Sequence, residues 1–347
     1  MFRPGLRYLM MVALVALSAL LFVANLFIGT VPIPLDAIVG IVLDIPTAGY
    51  SEEEMTIWSN IICNSRLPQT ITALLAGAGL SVSGLQMQTV FRNPLAGPSV
   101  LGVSNGASLG VAFVVLLSSS LGGVALSRLG YVGDVAITVA AILGSLAILA
   151  LIVFVAQYVR GNVTLLLIGV MTGYLATAII GVLKFFSAAE DVKAYVVWGL
   201  GCFTRTSGTQ LMVCTVLMCF ILPLGMLQIK TMNILMLGDD YARNLGLNIR
   251  RSRIMVIISS GLLAAVVTAY CGPIMFVGLA VPHLARAVFR TSDHRWLMPA
   301  TLVSGISLAL LCCILSRLPG FEGALPVNSV TALVGAPIIA AVLLKRK

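Results

Sequence analysis

"NILMLGDDYARNLGLNIRRSR", residues 233–253, is the densest charge cluster of a chain in which only 10% of residues are charged. Asp239, Asp240, Arg243, Arg250, Arg251 and Arg253 lie between two apolar runs, 211–229 and 254–271. A helix needs about 20 apolar residues to cross a hydrocarbon layer of about 30 Å at a rise of about 1.5 Å per residue. The flanking runs approach that length, whereas the charged stretch cannot enter such a layer. It is therefore a connection outside the membrane, and its neighbours are spans. The same test applied outward finds ten runs: 8–28, 70–91, 100–117, 135–155, 165–186, 211–229, 254–271, 274–289, 297–316 and 330–344. The reading is an all-α polytopic membrane protein, a single transmembrane domain over residues 1–347. Its two notable connections are a loop at about 231–253 and a long outer loop at about 29–69.

Composition agrees. The hydrophobic fraction is 59% and the mean hydropathy +1.08, against roughly 45–50% apolar residues in soluble domains. The first apolar run is longer than the h-region of a signal peptide and reads as a retained span. The net charge of +9 is better explained by cytoplasmic loop charge than by nucleic acid, which is not expected as a partner. With an N-terminus in the cytoplasm, 15 of the 21 Lys and Arg fall on the cytoplasmic side. These include Arg3, Arg160, Lys345, Arg346 and Lys347, while Arg128 falls outside. That asymmetry sets orientation, and ten spans return the C-terminus to the same side. Seven Cys without a CxxC and two His leave a metal or redox site unsupported.

Inside the charged stretch, Asp239 and Asp240 suit the positive end of a short helix. Leu237, Tyr241 and Leu245 form one apolar stripe at i, i+4, i+8. Asp239 and Arg243 are spaced for an i,i+4 pair. Gly246 fits a C-terminal cap, and Asn248 fits the N-cap of the helix that follows. Physics alone leaves two uses open: docking to a soluble partner, or lying on an anionic membrane surface. Elsewhere, Gly77, Gly79, Gly84, Gly102, Gly106 and Gly110 are read as close helix packing. Gln86 and Gln88 are costly to face lipid and should point into the bundle. No GxxxxGK[ST] phosphate loop occurs, so any ATP-derived energy must come from another chain. No run carries an internal acid, which disfavours an ion-coupled secondary transporter, the distant alternative. His283 is read as a structural hydrogen-bonding residue and His294 as a loop residue.

Several stretches together resemble the FecCD-type permeases, membrane subunits of ATP-driven (ABC) importers for iron-siderophores, haem and vitamin B12. They are "RLPQTITALLAGAGLSVSGLQMQTVFRNPLAGPSVLGVSNGASLG" (66–110), "LGDDYARNLGL" (237–247), "GPIMFVGLAVPHLARAVF" (272–289), "DHRWLMP" (293–299) and "LPVNSVTALVGAP" (325–337). The resemblance implies the type II ABC importer permease fold: ten transmembrane helices, both termini cytoplasmic, in the bacterial inner membrane. It implies a permease that is not itself an enzyme and binds no cofactor, ATP and Mg being used by a partner ATPase. The implied partners are a second permease copy, two ATPase subunits and an extracytoplasmic binding protein, within the lipid bilayer. The implied cargo is an iron chelate, siderophore or haem, with cobalamin as the alternative.

By the same resemblance, Leu237, Gly238, Asp239, Asp240, Tyr241, Ala242, Arg243, Leu245 and Gly246 form the surface that couples to the ATPase. Arg66 and Arg317 match positions that receive acids of the binding protein; interfacial snorkelling is the alternative. Gln69 stands where the family often has a second basic residue. Asn162, Val163 and Thr164 are gate candidates before the path-lining fifth span, and Gln86 and Gln88 are further path candidates.

Overall fold

The computed structural model describes residues 4–43, 45, 49–120, 130–159, 161–206, 208–318 and 325–344. Arg3, Arg128, Arg160, Lys345, Arg346 and Lys347, all used in the charge balance, lie outside the described residues, as does the side chain of Asn162. The described residues are helical almost throughout. In chain order the helices are α1 (Pro4–Phe27), α2 (Leu35–Leu43), α3 (Glu52–Ile61), α4 (Leu67–Phe91), α5 (Val103–Ser120), α6 (Tyr131–Ala156), α7 (Asn162–Phe186) and α8 (Ala189–Gly199). They continue with α9 (Gly208–Met226), α10 (Ile229–Met236), α11 (Asp239–Asn244), α12 (Ile249–Cys271), α13 (Phe276–Phe289), α14 (His294–Leu315) and α15 (Val327–Leu344).

Every predicted apolar run lies on one helix, apart from a residue or a few at some ends. Among the described residues, seven helical stretches are long and apolar enough to cross a membrane; those within α5, α13 and α15 are apolar but shorter. The centre is α4, α12 and α14, whose apolar windows are 83%, 78% and 72% buried, against 6% for α1. The central helix α4 is also the one rich in Gly, Ser, Thr and Gln. This follows from the solvent: lipid rewards apolar side chains on outer helices, while small and hydrogen-bonding residues let inner backbones approach. A Cβ on Gly84 would run into the carbonyl of Gly278 on α13, and one on Gly77 into that of Gly305 on α14. Gly106 and Gly110 on α5 stand in the same relation to Gly144 and Ala140 on α6. The packing reading of these glycines is the observed one.

Besides α11, four short helices lie outside the ten predicted runs. In the outer loop, α2 and α3 enclose a satellite core of Ile33, Ala37, Ile38 and Ile62. Ser51 and Glu54 form a reciprocal capping box at the start of α3, which satisfies two otherwise orphaned N–H groups. α3 then runs through one π turn, Ile62–Arg66, straight into α4. The other two, α8 and α10, are too short and too mixed in composition for an apolar-run test to detect.

Candidate functional site

The charged stretch folds as the sequence chemistry dictates, with one exception. Asp239 and Asp240 occupy the first turn of α11. Its end is a Schellman cap: Leu247 N–H donates to Ala242 O at 3.0 Å and Gly246 N–H to Arg243 O at 2.9 Å. Gly246 has φ +79°, where a side chain would be strained. Asn248 caps α12, its side chain accepting from Arg251 N–H at 3.0 Å. Ala242 is fully buried and anchors the unit. Leu237, Tyr241 and Leu245 face away from it and are 59%, 69% and 60% exposed.

The exception is the i,i+4 pair. Asp239 does not spend its carboxylate on Arg243. One oxygen accepts from Arg92 and the other from Arg253, each at 2.6 Å. Arg92 closes α4 in a left-handed conformation and also donates to Leu235 O at 2.9 Å, at the end of α10. Its guanidinium thus joins the C-terminal carbonyls of α10 to the N-terminal acid of α11, where opposite charges are favoured. In the sequence Arg92 counts only toward the cytoplasmic charge excess; its partner Asp239 is 147 positions away.

A second tie runs from α10 to the central spans. Asn233 donates to Asp293 Oδ1 at 2.7 Å, which fixes which end of its amide is oxygen. That oxygen accepts from His294 N–H at 2.9 Å and from His294 Nδ1 at 2.8 Å. The Nε2 of the ring lies 2.9 Å from the Thr89 hydroxyl on α4, which also donates to Leu85 O at 2.8 Å. His294 is fully buried, so it is a junction between α4, α10 and α14 rather than a loop residue. Asp293 caps α14; the N–H of Arg295 holds its carboxyl below the usual carboxylate range.

At the opposite end of the bundle, Arg66 and Arg317, the docking candidates, are buried. They are 3% and 6% exposed. Arg66 donates to the carbonyls of Leu26, Phe27 and Val31, which finish and follow α1. Arg317 donates to Asn25 Oδ1 at 2.5 Å, Gln69 Oε1 at 3.0 Å and Cys313 O at 3.2 Å. The reason is local: a helix C-terminus leaves carbonyls without partners, and a guanidinium supplies donors and the favoured charge. Gln69 therefore acts as an acceptor for Arg317. In this conformation both guanidinium groups are committed inward.

The path candidates also separate. Gln86 is fully buried and donates to Ser259 Oγ on α12 at 2.8 Å. Gln88, 3% exposed, donates to Leu279 O at 3.2 Å and accepts from Arg286 at 2.5 Å, both on α13. Both amides point into the bundle, as lipid exposure would be costly, and join helices of this chain; Gln88 also lines a cavity of about 280 Å³ with Arg92, Met236 and Arg286. Asn162, Val163 and Thr164 form the first turn of α7; Val163 is 70% exposed, and Thr164 is exposed too. Near the middle of α7, Tyr174 and Thr177 are exposed. Sequence reading did not single them out, although a Tyr and a Thr a turn apart in mid-span are the available signal. His283 is buried, with Nε2 2.7 Å from Pro94 O, a structural contact as expected.

Comparison with known proteins places this geometry. The model of the FecCD transport family matches residues 16–345. The hemin transport system permease protein HmuU of Yersinia pestis is 35% identical over 84% of this chain and 84% of its own length. The vitamin B12 import system permease protein BtuC of Klebsiella pneumoniae is 36% identical over 81% of this chain and 82% of its own. A solved metal-chelate type ABC transporter in an inward-facing conformation superposes with a TM-score of 0.82 at 28% identity, covering 97% of this chain and 99% of that one. These relatives are transport subunits of multi-pass membrane assemblies rather than enzymes. With its match running nearly end to end, the chain belongs to the FecCD transport family.

Proposed function

We propose that the chain is the membrane-spanning permease of an ATP-driven importer in the bacterial inner membrane, passing an iron chelate, siderophore or haem, to the cytoplasm. In this reading α1, α4, α5, α6, α7, α9, α12, α13, α14 and α15 cross the bilayer, with both termini and α11 cytoplasmic. Two permeases work with two ATPases and an extracytoplasmic binding protein; ATP and Mg belong to the ATPases. One observation carries the coupling role. The apolar stripe Leu237–Tyr241–Leu245 is exposed on a unit tied to α4 by Arg92, to α12 by Arg253 and to α14 by Asn233. A stripe meant to sit in lipid would not need that bracing, whereas a push from a soluble partner would be lost without it.

For the cargo path, Tyr174 favours α7, since a phenol exposed in mid-span fits a watered passage or a second copy better than hydrocarbon, whereas the Thr177 hydroxyl is satisfied by Gly173 O at 2.9 Å. Similarity to the hemin permease and the metal-chelate transporter supports an iron chelate; the cobalamin permease at 36% identity keeps vitamin B12 as the second reading. The test is uptake in proteoliposomes holding the permease, its ATPase and binding protein, with an iron chelate and with cobalamin. Asp240→Lys, on the exposed side of α11, should leave insertion intact and reduce ATP-dependent uptake to background. Undiminished uptake with normal ATPase association would refute the coupling role, and ion-driven uptake without any ATPase would refute the importer class.

A further inference from the structure

We propose that the chain holds one anionic phospholipid, its acyl chain in a groove beside α1 and its phosphate on Arg7. The groove measures about 570 Å³ and lies between α1, α13, α14 and α15. Met10, Leu14, Leu17 and Leu21 of α1 form one wall, facing Val288 and Leu311. Apart from Ser304 and Ser307 its lining is apolar, and α1 is otherwise loosely embraced, with only 6% of its window buried.

Length argues for a lipid tail. From Met10 to Leu21 a helix rises roughly 16 Å at 1.5 Å per residue, close to half of a hydrocarbon core of about 30 Å. The groove is as long as one leaflet. Charge argues for the headgroup. Arg7 continues the same helix face, one turn beyond Met10. Its Nε and Nη2 are buried and have no hydrogen-bond partner among the described residues. Turned toward the groove by a change of rotamer, those two donors match two oxygens of a phosphate. The level is right as well: Tyr8 packs edge-on against Trp296 with ring centroids 4.7 Å apart, an aromatic pair of the type that marks a membrane–water interface. α13 ends beside the groove with Arg286 and Arg290, adding to a positive field that favours anionic lipid. A zwitterionic lipid would bring its own cation to the same place, and a peptide would not supply a phosphate at the mouth.

The test is native mass spectrometry of the full-length chain, delipidated in mild detergent and titrated with dioleoyl phosphatidylglycerol or dioleoyl phosphatidylcholine. The first phosphatidylglycerol should bind roughly fivefold more tightly, the preference one basic residue near a membrane surface confers. Arg7→Gln should equalise the two lipids, and Arg7→Lys should keep most of the preference. Ala13→Trp, which fills the groove, should weaken both. Equal binding by the unaltered chain, a preference that survives Arg7→Gln, or self-association through this face without lipid would each overturn the proposal.

Discussion

The two ends of this bundle are tied by the same residue type in opposite electrostatic settings. At the α11 end, Arg92 and Arg253 share one carboxylate, and the side chains of Arg92 and Asp239 are 40% and 34% exposed. At the other end, Arg66 and Arg317 are almost fully buried, and the partners given above are carbonyls and the side chains of Asn25 and Gln69. The first is an ion-pair joint in contact with water, weak in stability but able to break and re-form. The second is a set of charge-assisted bonds out of water, costly to undo. Opening the first joint costs little and opening the second costs much.

Four experiments break or sharpen that contrast. Arg317→Ala should have the largest effect, about 3–5 kcal/mol, because it orphans buried acceptors on three helices at once. Thermal unfolding of the purified chain would show it. A normal melting temperature with loss only of binding-protein interaction would return Arg317 to a docking role. Gly246→Leu comes next, at about 1–2 kcal/mol for a side chain forced into left-handed backbone. It should melt α11 locally and abolish uptake while membrane insertion stays normal. Asp239→Asn should cost least in stability, about 1 kcal/mol or less, since its pairs are exposed. It should nevertheless uncouple ATP hydrolysis from uptake. Raising the salt concentration should mimic part of that uncoupling and leave the Arg317 end unaffected, which separates the two ends in a single preparation.

Much of the architecture was legible because lipid imposes a simple test: an apolar run of sufficient length becomes a helix, and each of the ten runs did. The charged stretch was legible for a different reason. Its caps, Asp239, Gly246 and Asn248, are local devices whose chemistry depends on neighbours in sequence. What depends on distant neighbours was not legible. Asp239 has Arg243 four residues away, yet it pairs with residues 147 and 14 positions distant. Arg66 and Arg317 look like outward-facing charges until α1 is placed beside them, when its unpaired carbonyls claim them. His294 follows an Asp in a short connection, and nothing in that connection reveals Asn233 and Thr89 on either side of its ring. Gln86 and Gln88 were legible as inward-pointing, but their partners Ser259 and Arg286, on other helices, were not.

The π turn before α4 has a mechanical consequence. Because α3 does not stop before α4 begins, helix is continuous from Glu52 to Phe91, 40 residues with a contour of roughly 60 Å. That is about twice the hydrocarbon thickness, and the rod terminates at the arginine that grips Asp239. Torque applied to the segment beyond one membrane face would reach the other through unbroken backbone, with no sliding interface along the way to absorb it.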